Sequence, residues 1–301
     1  MRVFLTGATG YVGAAVLDAL LRAGHDVTAL VRSGAAAQRM ADRGVRAMRG
    51  DLRRPESFTD AAGHDVYIHA AYDRGPRGSD VERQAVTALL ALAARSAPAA
   101  MIYTSAVWVL GPTQAPATES APLDPPALVA WRPGVEDQVL AGAPGVRTIV
   151  VRPGIVYGGA RGIISEMLTS ADNGLMRVIG SGDNHWAVVY DRDLADLYVR
   201  LAASSDAAGV FHATDDSDDT VRDIVEAIAA HAPARPEVRY MPLSEARKKQ
   251  GALADALVLD QMVRSPRARA LGWAPSLATL TRNVPRLFEE WRNARQQARE
   301  A

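Results

Sequence analysis

The sequence predicts an α/β fold built on a doubly wound parallel sheet, with a smaller and less regular C-terminal portion. Three observations carry that expectation. Short apolar runs alternate with helix-like segments of ten or so residues through the first half of the chain, which is the signature of parallel βαβ units. The first run, 2–6, leads straight into a glycine-rich turn and a helical pattern. With 301 residues, 48% hydrophobic and 23% charged, the chain has core material for one large domain or two modest ones.

Taken in order, strands are expected at 2–6, 26–31, 45–48, 65–69, 100–104 and 147–151. Helices are expected from the turn to about 20, then at 35–43, 80–95 and near 134–140. The second half predicts helices at 162–170 and 193–202, strands at 209–212 and 237–241, and a helical final thirty residues. Thr220 is placed to cap a helix whose Val221, Ile224, Val225 and Ile228 recur at helical spacing. These boundaries imply a core of 1–155 to which 190–213 returns, and a second portion made of 156–189 and 214–301.

Charge and composition narrow the function classes. Lys+Arg and Asp+Glu both total 34, so no basic excess exists for nucleic acid. The absence of cysteine removes disulfides, thiol catalysis and cysteine-held zinc. No apolar run approaches the roughly 20 residues of a membrane span, and the chain reads as cytoplasmic, with no membrane partner. All but two of its basic residues are arginine, the exceptions being Lys248 and Lys249. The acidic run Asp215, Asp216, Asp218 and Asp219 reads as a solvated loop, and no metal constellation is evident.

The turn Thr6-Gly7-Ala8-Thr9-Gly10-Tyr11-Val12-Gly13 lies between the first strand and the first helix. There, backbone N–H groups and the positive end of a helix dipole suit a pyrophosphate, and glycine permits close approach. The second strand ends Leu30-Val31-Arg32-Ser33 with no acid. An acid in that place accepts from the ribose 2′-hydroxyl of NAD, whereas Arg32 suits the 2′-phosphate of NADP. NADP is therefore the expected cofactor.

The Gly7-x-x-Gly10-x-x-Gly13 spacing resembles the short-chain dehydrogenase/reductase superfamily, in its extended and atypical, epimerase/dehydratase-like branches. Five further segments resemble that family in order: Gly50-Asp51-Leu52, His69-Ala70-Ala71, Tyr103-Thr104-Ser105, the Arg152-Pro153-Gly154 loop continuing to Gly158, and Tyr190 to Ala195. Ala270 to Pro275 resembles a tail motif of the extended branch. The resemblance implies a Rossmann fold with a C-terminal substrate-binding portion. It further implies that Asp51 and Leu52 contact adenine, that Ala70 and Ala71 lie beneath the cofactor, and that Pro153 and Gly154 sit beside the nicotinamide. Extended-branch members often pair through the long helices of this domain, which implies a homodimer; Pro133 near that interface leaves a monomer open.

Members of the family usually carry Tyr-x-x-x-Lys after the fifth strand, and none of the eight tyrosines here has a lysine four residues on. Aligned on Glu136, the tyrosine position falls on Leu128 and the lysine position on Arg132; the serine position falls on Ala106, beside Ser105. Arg132 can still hydrogen-bond ribose hydroxyls, but its high pKa suits it poorly to proton relay. Pro125, Pro126 and Pro133 suggest that the helix here starts late. Ser105, His185 and Tyr157, the last with Arg161 four residues on, are the candidate catalytic groups, Arg161 being a cation to stabilise a phenolate. Tyr72, Trp108, Trp186 and Tyr190 are the candidate substrate contacts, with Asp73 beside Tyr72. Each has a plainer reading: Ser105 as a strand-end cap, Tyr157 as packing, His185 as an exposed lid residue, His69 as a satisfied strand-end histidine.

Three functions follow. The first is an NADP(H)-dependent reductase or dehydrogenase acting on a small, partly apolar carbonyl or hydroxyl compound through a non-standard proton donor. The others are a non-redox isomerase, cyclase or lyase on the same scaffold, and an NADP(H)-sensing regulatory protein.

Overall fold

In chain order the first half runs β1 (Arg2–Thr6), α1 (Tyr11–Arg22), β2 (Asp26–Val31), α2 (Gly34–Ala41), β3 (Arg46–Arg49), β4 (Val66–His69), α3 (Gly78–Arg95), β5 (Ala99–Thr104), α4 (Arg132–Ala141) and β6 (Val146–Pro153). There follow β7 (Ile155–Tyr157), α5 (Gly162–Asp172), β8 (Leu175–Ile179), β9 (Val188–Tyr190), α6 (Asp191–Ala203) and β10 (Gly209–Ala213). The chain ends with α7 (Val221–His231), β11 (Glu237–Met241), α8 (Leu243–Gln250), α9 (Ala252–Leu257), α10 (Pro266–Ala270) and α11 (Val284–Glu300). The computed structural model describes residues 1–300, without the side chains of 298–300, so Ala301 of the expected 214–301 segment lies outside it.

Two compact units emerge. Unit 1 comprises Met1–Ser105, Trp131–Arg152 and Ala195–Phe211; unit 2 comprises Ala106–Ala130, Pro153–Leu194 and His212–Ala301. Unit 1 is organised by a seven-stranded sheet in the order β10-β6-β5-β4-β1-β2-β3. Strands β1 to β6 pair in parallel, with Thr6 opposite Leu30 on one side and His69 on the other. The chain therefore winds outward from β1 through β2 and β3, then restarts at β4 and winds the other way. That reversal opens a crevice at the carboxyl ends of β1 and β4, where open α/β sheets take ligands.

Strands β1, β4 and β5 read as apolar runs because both faces are covered: Val3, Phe4, Leu5, Tyr67, Ile68, Met101 and Ile102 are wholly buried. Helix α4 begins at Arg132 with Pro133 in its first turn, where a missing N–H costs nothing. Leu128 stays in the turn before it.

Unit 2 holds two short parallel pairs, β7 with β9 and β8 with β11. Its core gathers Tyr157, Leu168, Trp186, Ile224, Ile228, Phe288 and Trp291. Thr220 caps α7 as expected, accepting from the Asp223 N–H while Asp223 accepts from the Thr220 N–H, a reciprocal capping box.

Candidate functional site: a dinucleotide cleft in unit 1

At the crevice between β1 and β4 the glycine-rich turn is closed to side chains. Gly7 has φ +81°, and a Cβ there would stand 2.5 Å from the Ala70 carbonyl oxygen. A Cβ on Gly13 would stand 2.1 Å from the Gly7 oxygen, so α1 can lie against the turn only with glycine in place. The Gly10 N–H donates to Gly7 O at 2.7 Å. Gly10 precedes α1 with no side-chain cap, and no acid stands in the first turn, which leaves the positive end of the helix dipole to an anion.

A cleft of about 710 Å³ opens here. It is lined by Thr6, Gly7 and Thr9 to Val12, by Leu30 to Arg32 at the end of β2, by Gly50 to Arg53 after β3, and by Ala70 to Gly75 after β4. Gly7, Thr9, Gly10, Tyr11, Val12, Arg32, Asp51, Leu52, Ala70 and Ala71 are thus brought together on one surface. Gly13 supports the turn from behind. Two further arginines, Arg53 and Arg74, line the same cleft. Arg53 reaches Asp73 with Nε at 2.5 Å and Nη2 at 3.0 Å. Its guanidinium, the Gly75 N–H and the nearby charge of Arg32 hold the Asp73 carboxyl below the usual range. Asp51 turns its Oδ1 to the Arg53 N–H at 3.0 Å.

Behind the cleft runs a buried polar chain that sequence spacing could not disclose. Thr6 Oγ1 and His69 Nδ1 lie 2.6 Å apart. His69 Nε2 faces Glu82 Oε2 at 3.5 Å, both residues being almost fully buried. The His69 ring stacks on Tyr103, whose phenol is pushed well above its ordinary value by burial and then by the Glu82 carboxylate. Arg132 Nη1 donates to Tyr103 Oη at 3.2 Å and to Thr104 O at 3.1 Å. Ser105, 4% exposed, donates its N–H to Val151 O and leaves Oγ without a partner. Glu136 answers Arg152, whose Nε lies 3.1 Å from each carboxylate oxygen; Nη2 also donates to Oε2.

The remaining candidates belong to unit 2. His185 presents Nδ1 to Asp260 Oδ1 at 2.7 Å, and its backbone N–H donates to the same oxygen. Asp260, seventy-five residues away in sequence, is a partner that no local motif announces. Tyr157 is fully buried, with Oη unpartnered among the described residues. Burial, then Asp215 and Asp193, push its phenol far up, opposite to the lowering expected from Arg161. Trp186 and Tyr190, candidate substrate contacts by sequence, are instead buried in the unit's core. The Trp186 indole donates to Leu257 O, and the Tyr190 hydroxyl donates to Glu290, so their polar atoms are already engaged. Trp108 packs against the same core. Pro153 and Gly154 follow β6, and a Cβ on Gly154 would meet Ala187 O at 2.5 Å. The acidic run is solvated only in part, with Asp218 exposed. Asp215 is 6% exposed and burial raises its carboxyl to about 7, while Asp216 and Asp218 pair with Arg269 and Arg264. Among the described residues no group of three or more His, Cys, Asp or Glu is placed to hold a metal ion.

The NAD dependent epimerase/dehydratase family matches residues 3–213. The chain belongs to this family. A protein of Saccharomyces cerevisiae, YLL056C, is 29% identical over 300 residues, covering 94% of this chain and 98% of its own. A 4-hydroxy-2-methyl-3-oxo-4-farnesyl-3,4-dihydroquinoline-1-oxide ketoreductase of Stigmatella aurantiaca is 28% identical, covering 82% of this chain and 78% of its own. Among solved structures, human epimerase family protein SDR39U1 with NADPH superposes with a TM-score of 0.81 at 20% identity, covering 96% of this chain and 99% of that one. An epimerase/dehydratase-family enzyme of oxidoreductase type on a Rossmann-like sheet is the coarse description that follows, the family being described as NAD dependent. The glycine cradle and the uncapped start of α1 fit the pyrophosphate of such a cofactor. No described helix is long and apolar enough to cross a membrane.

Proposed function

We propose that the chain is an NADP(H)-dependent reductase or dehydrogenase of a small, partly apolar carbonyl or hydroxyl compound. The observation that carries this reading is the end of β2, where Arg32 stands with no acid, on a rim that Arg74 and the Asp73-paired Arg53 also line. Arg32 stands where an NAD site places its ribose acid, and a guanidinium there favours a 2′-phosphate. The human relative solved with NADPH is consistent with that preference. We assign cofactor binding to 1–155 with 190–213, and substrate binding to 156–189 with 214–301. Small-molecule turnover in the cytoplasm, by a homodimer, belongs to the same reading.

The bound cofactor supplies the hydride. The chain supplies binding, orientation and the proton. Gly7, Gly10 and Gly13 would seat the pyrophosphate against α1, and Asp51 with Leu52 would hold the adenine end. Pro153 and Gly154 would hold the nicotinamide end, and Arg132 would serve the ribose hydroxyls. Ser105 is a buried hydroxyl with a donor to give, suited to orienting a carbonyl oxygen. His185, with Nδ1 engaged by Asp260, keeps Nε2 for the substrate and is the proton donor of this reading. Tyr157, held protonated by its surroundings, is the weaker acid.

Fluorescence titration of wild type and Arg32→Ala with NADPH, NADP⁺, NADH and NAD⁺ tests the cofactor. NADPH is expected to bind well below millimolar. Arg32→Ala should remove about tenfold or more of its advantage over NADH, the worth of a charge-assisted pair. Equal affinities in wild type, or no binding of any of the four, overturn the reading.

A further inference from the structure

Arg132 is anchored but not neutralised. Nη1 is tied to Tyr103 Oη and Thr104 O at the end of β5, which fixes the plane of the guanidinium. Nε is buried without an acceptor, and among the described residues no carboxylate forms an ion pair with it. Tyr103 stands between it and Glu82. The contrast with Arg152, buried against Glu136, is direct. A buried guanidinium N–H left without an acceptor is costly, and its orientation is set by neighbours that have no other use for it. Ser105, next in sequence after the Thr104 that accepts from Arg132, has a second buried donor with no partner.

Beside this pair of donors stands an aromatic platform. The Tyr72 and Trp131 rings are nearly parallel, 7° apart in plane and 5.5 Å between centroids. The Arg132 guanidinium lies 4.6 Å from the Trp131 ring centroid and 5.5 Å from that of Tyr72. Tyr72 is 46% exposed, one of the few large apolar side chains left in solvent, and it lines the dinucleotide cleft. A ring held by stacking and still open to solvent offers a flat face for another ring, and the adjacent guanidinium offers an in-plane fork for a carboxylate or phenolate oxygen.

We infer that Arg132, Tyr72 and Trp131, with Ser105, form the recognition site for a planar aromatic substrate carrying an anionic oxygen. This deepens the function proposed above and rests on it for the word substrate. Each half of the site alone is unselective. A guanidinium takes any carboxylate, and an aromatic face takes any flat ring. Together they favour the molecule that has both, so a saturated acid forfeits the stack and an uncharged aromatic forfeits the fork. Arg132, placed above at the ribose hydroxyls, then bridges cofactor and substrate anion, held in a fixed plane by Tyr103 and Thr104, and moves no proton.

Calorimetric titration of the full chain with three probes tests this: 4-hydroxycinnamate, its methyl ester, and cyclohexanecarboxylate. The aromatic acid should bind about tenfold or more tighter than either of the others. Arg132→Gln should bring it down to the level of the ester, and Tyr72→Leu to the level of the saturated acid. Arg132→Lys, which keeps the charge and loses the fork, should fall between wild type and Arg132→Gln. Equal binding of the three probes, no binding of the aromatic acid, or Arg132→Gln and Tyr72→Leu variants that leave its affinity unchanged overturns the inference. The same samples are titrated with NADPH. NADPH binding without selectivity for the aromatic acid defeats the substrate class alone, whereas selectivity without dinucleotide binding upholds the site and defeats the reductase reading. Tyr72→Leu alters an exposed side chain, so its result stands if Arg132→Gln fails to fold.

Discussion

Replacing Glu136 by methionine removes the counter-charge of Arg152 while roughly keeping side-chain volume. Arg152 is 4% exposed and Glu136 1% exposed, so the stranded guanidinium has no water to turn to. Its Nη1 already lacks a partner, and Nε and Nη2 would join it. Removing one member of a buried pair costs about 3–5 kcal/mol, a large share of the roughly 5–15 kcal/mol that holds a domain folded. With a urea m-value of about 3 kcal/mol/M, the midpoint should fall by roughly 1 M. Removing both charges, Glu136→Met with Arg152→Met, should recover most of that loss, because two buried ions are then exchanged for apolar packing. The assay is urea denaturation of the full chain, compared at unchanged m. A single variant within about 1 kcal/mol of wild type, or a double variant worse than the single, refutes the reasoning.

Gly13→Ala should abolish measurable NADPH binding in the fluorescence titration, because its Cβ would sit 2.1 Å from Gly7 O, whereas Gly34→Ala, with nothing within 4 Å, should leave it unchanged; wild-type binding by Gly13→Ala contradicts this. Asp215 has its pKa raised by burial from 3.8 to about 7, so its contribution to stability is full below about pH 4 and is lost as pH rises through about 7. Wild type should therefore melt lower at pH 8 than at pH 5 by more than Asp215→Asn does, since asparagine keeps an Oδ1 for the Ser217 N–H and hydroxyl; parallel pH profiles for the two proteins would exclude the assignment.

The parallel half of the fold was legible because β1, β2, β4 and β5 are buried on both faces, whereas β3, Arg46–Arg49, is a half-exposed edge. Val3 to Leu5 and Val66 to Ile68 could hardly be read otherwise. Strands β7 and β9, three residues each, are too short to show a period, and they exist because the two segments pair with each other. The glycine turn declared the cofactor cleft through its local context. Asp260 for His185, Glu82 for His69, and Tyr103 for Arg132 declared nothing, because each contact joins residues 13 to 75 positions apart. Tyr190 and Trp186 show the converse. Aromatic residues after a loop suggest a pocket wall, but the packing of α11 and the carbonyl of Leu257 claim them first. The acidic run misled for a similar reason. Four aspartates within five residues suggest repulsion and solvent, yet Arg264, Arg269 and Ser217 each take one of them.

The single direction shared by β1 to β6 also sorts the chain for site-specific labelling. The turns after β1, β2, β3 and β4 line the cleft, and the loops that lead from a helix into the next of these parallel strands lie at the far end of the sheet. Asp42, exposed between α2 and β3, belongs to the far end; Arg74, exposed on the loop after β4, belongs to the rim. Since the sequence contains no cysteine, one introduced thiol at either position is the only thiol in the molecule. A dye on position 74 then reports occupancy of the cleft, and the same dye on position 42 supplies the silent reference within an otherwise identical chain.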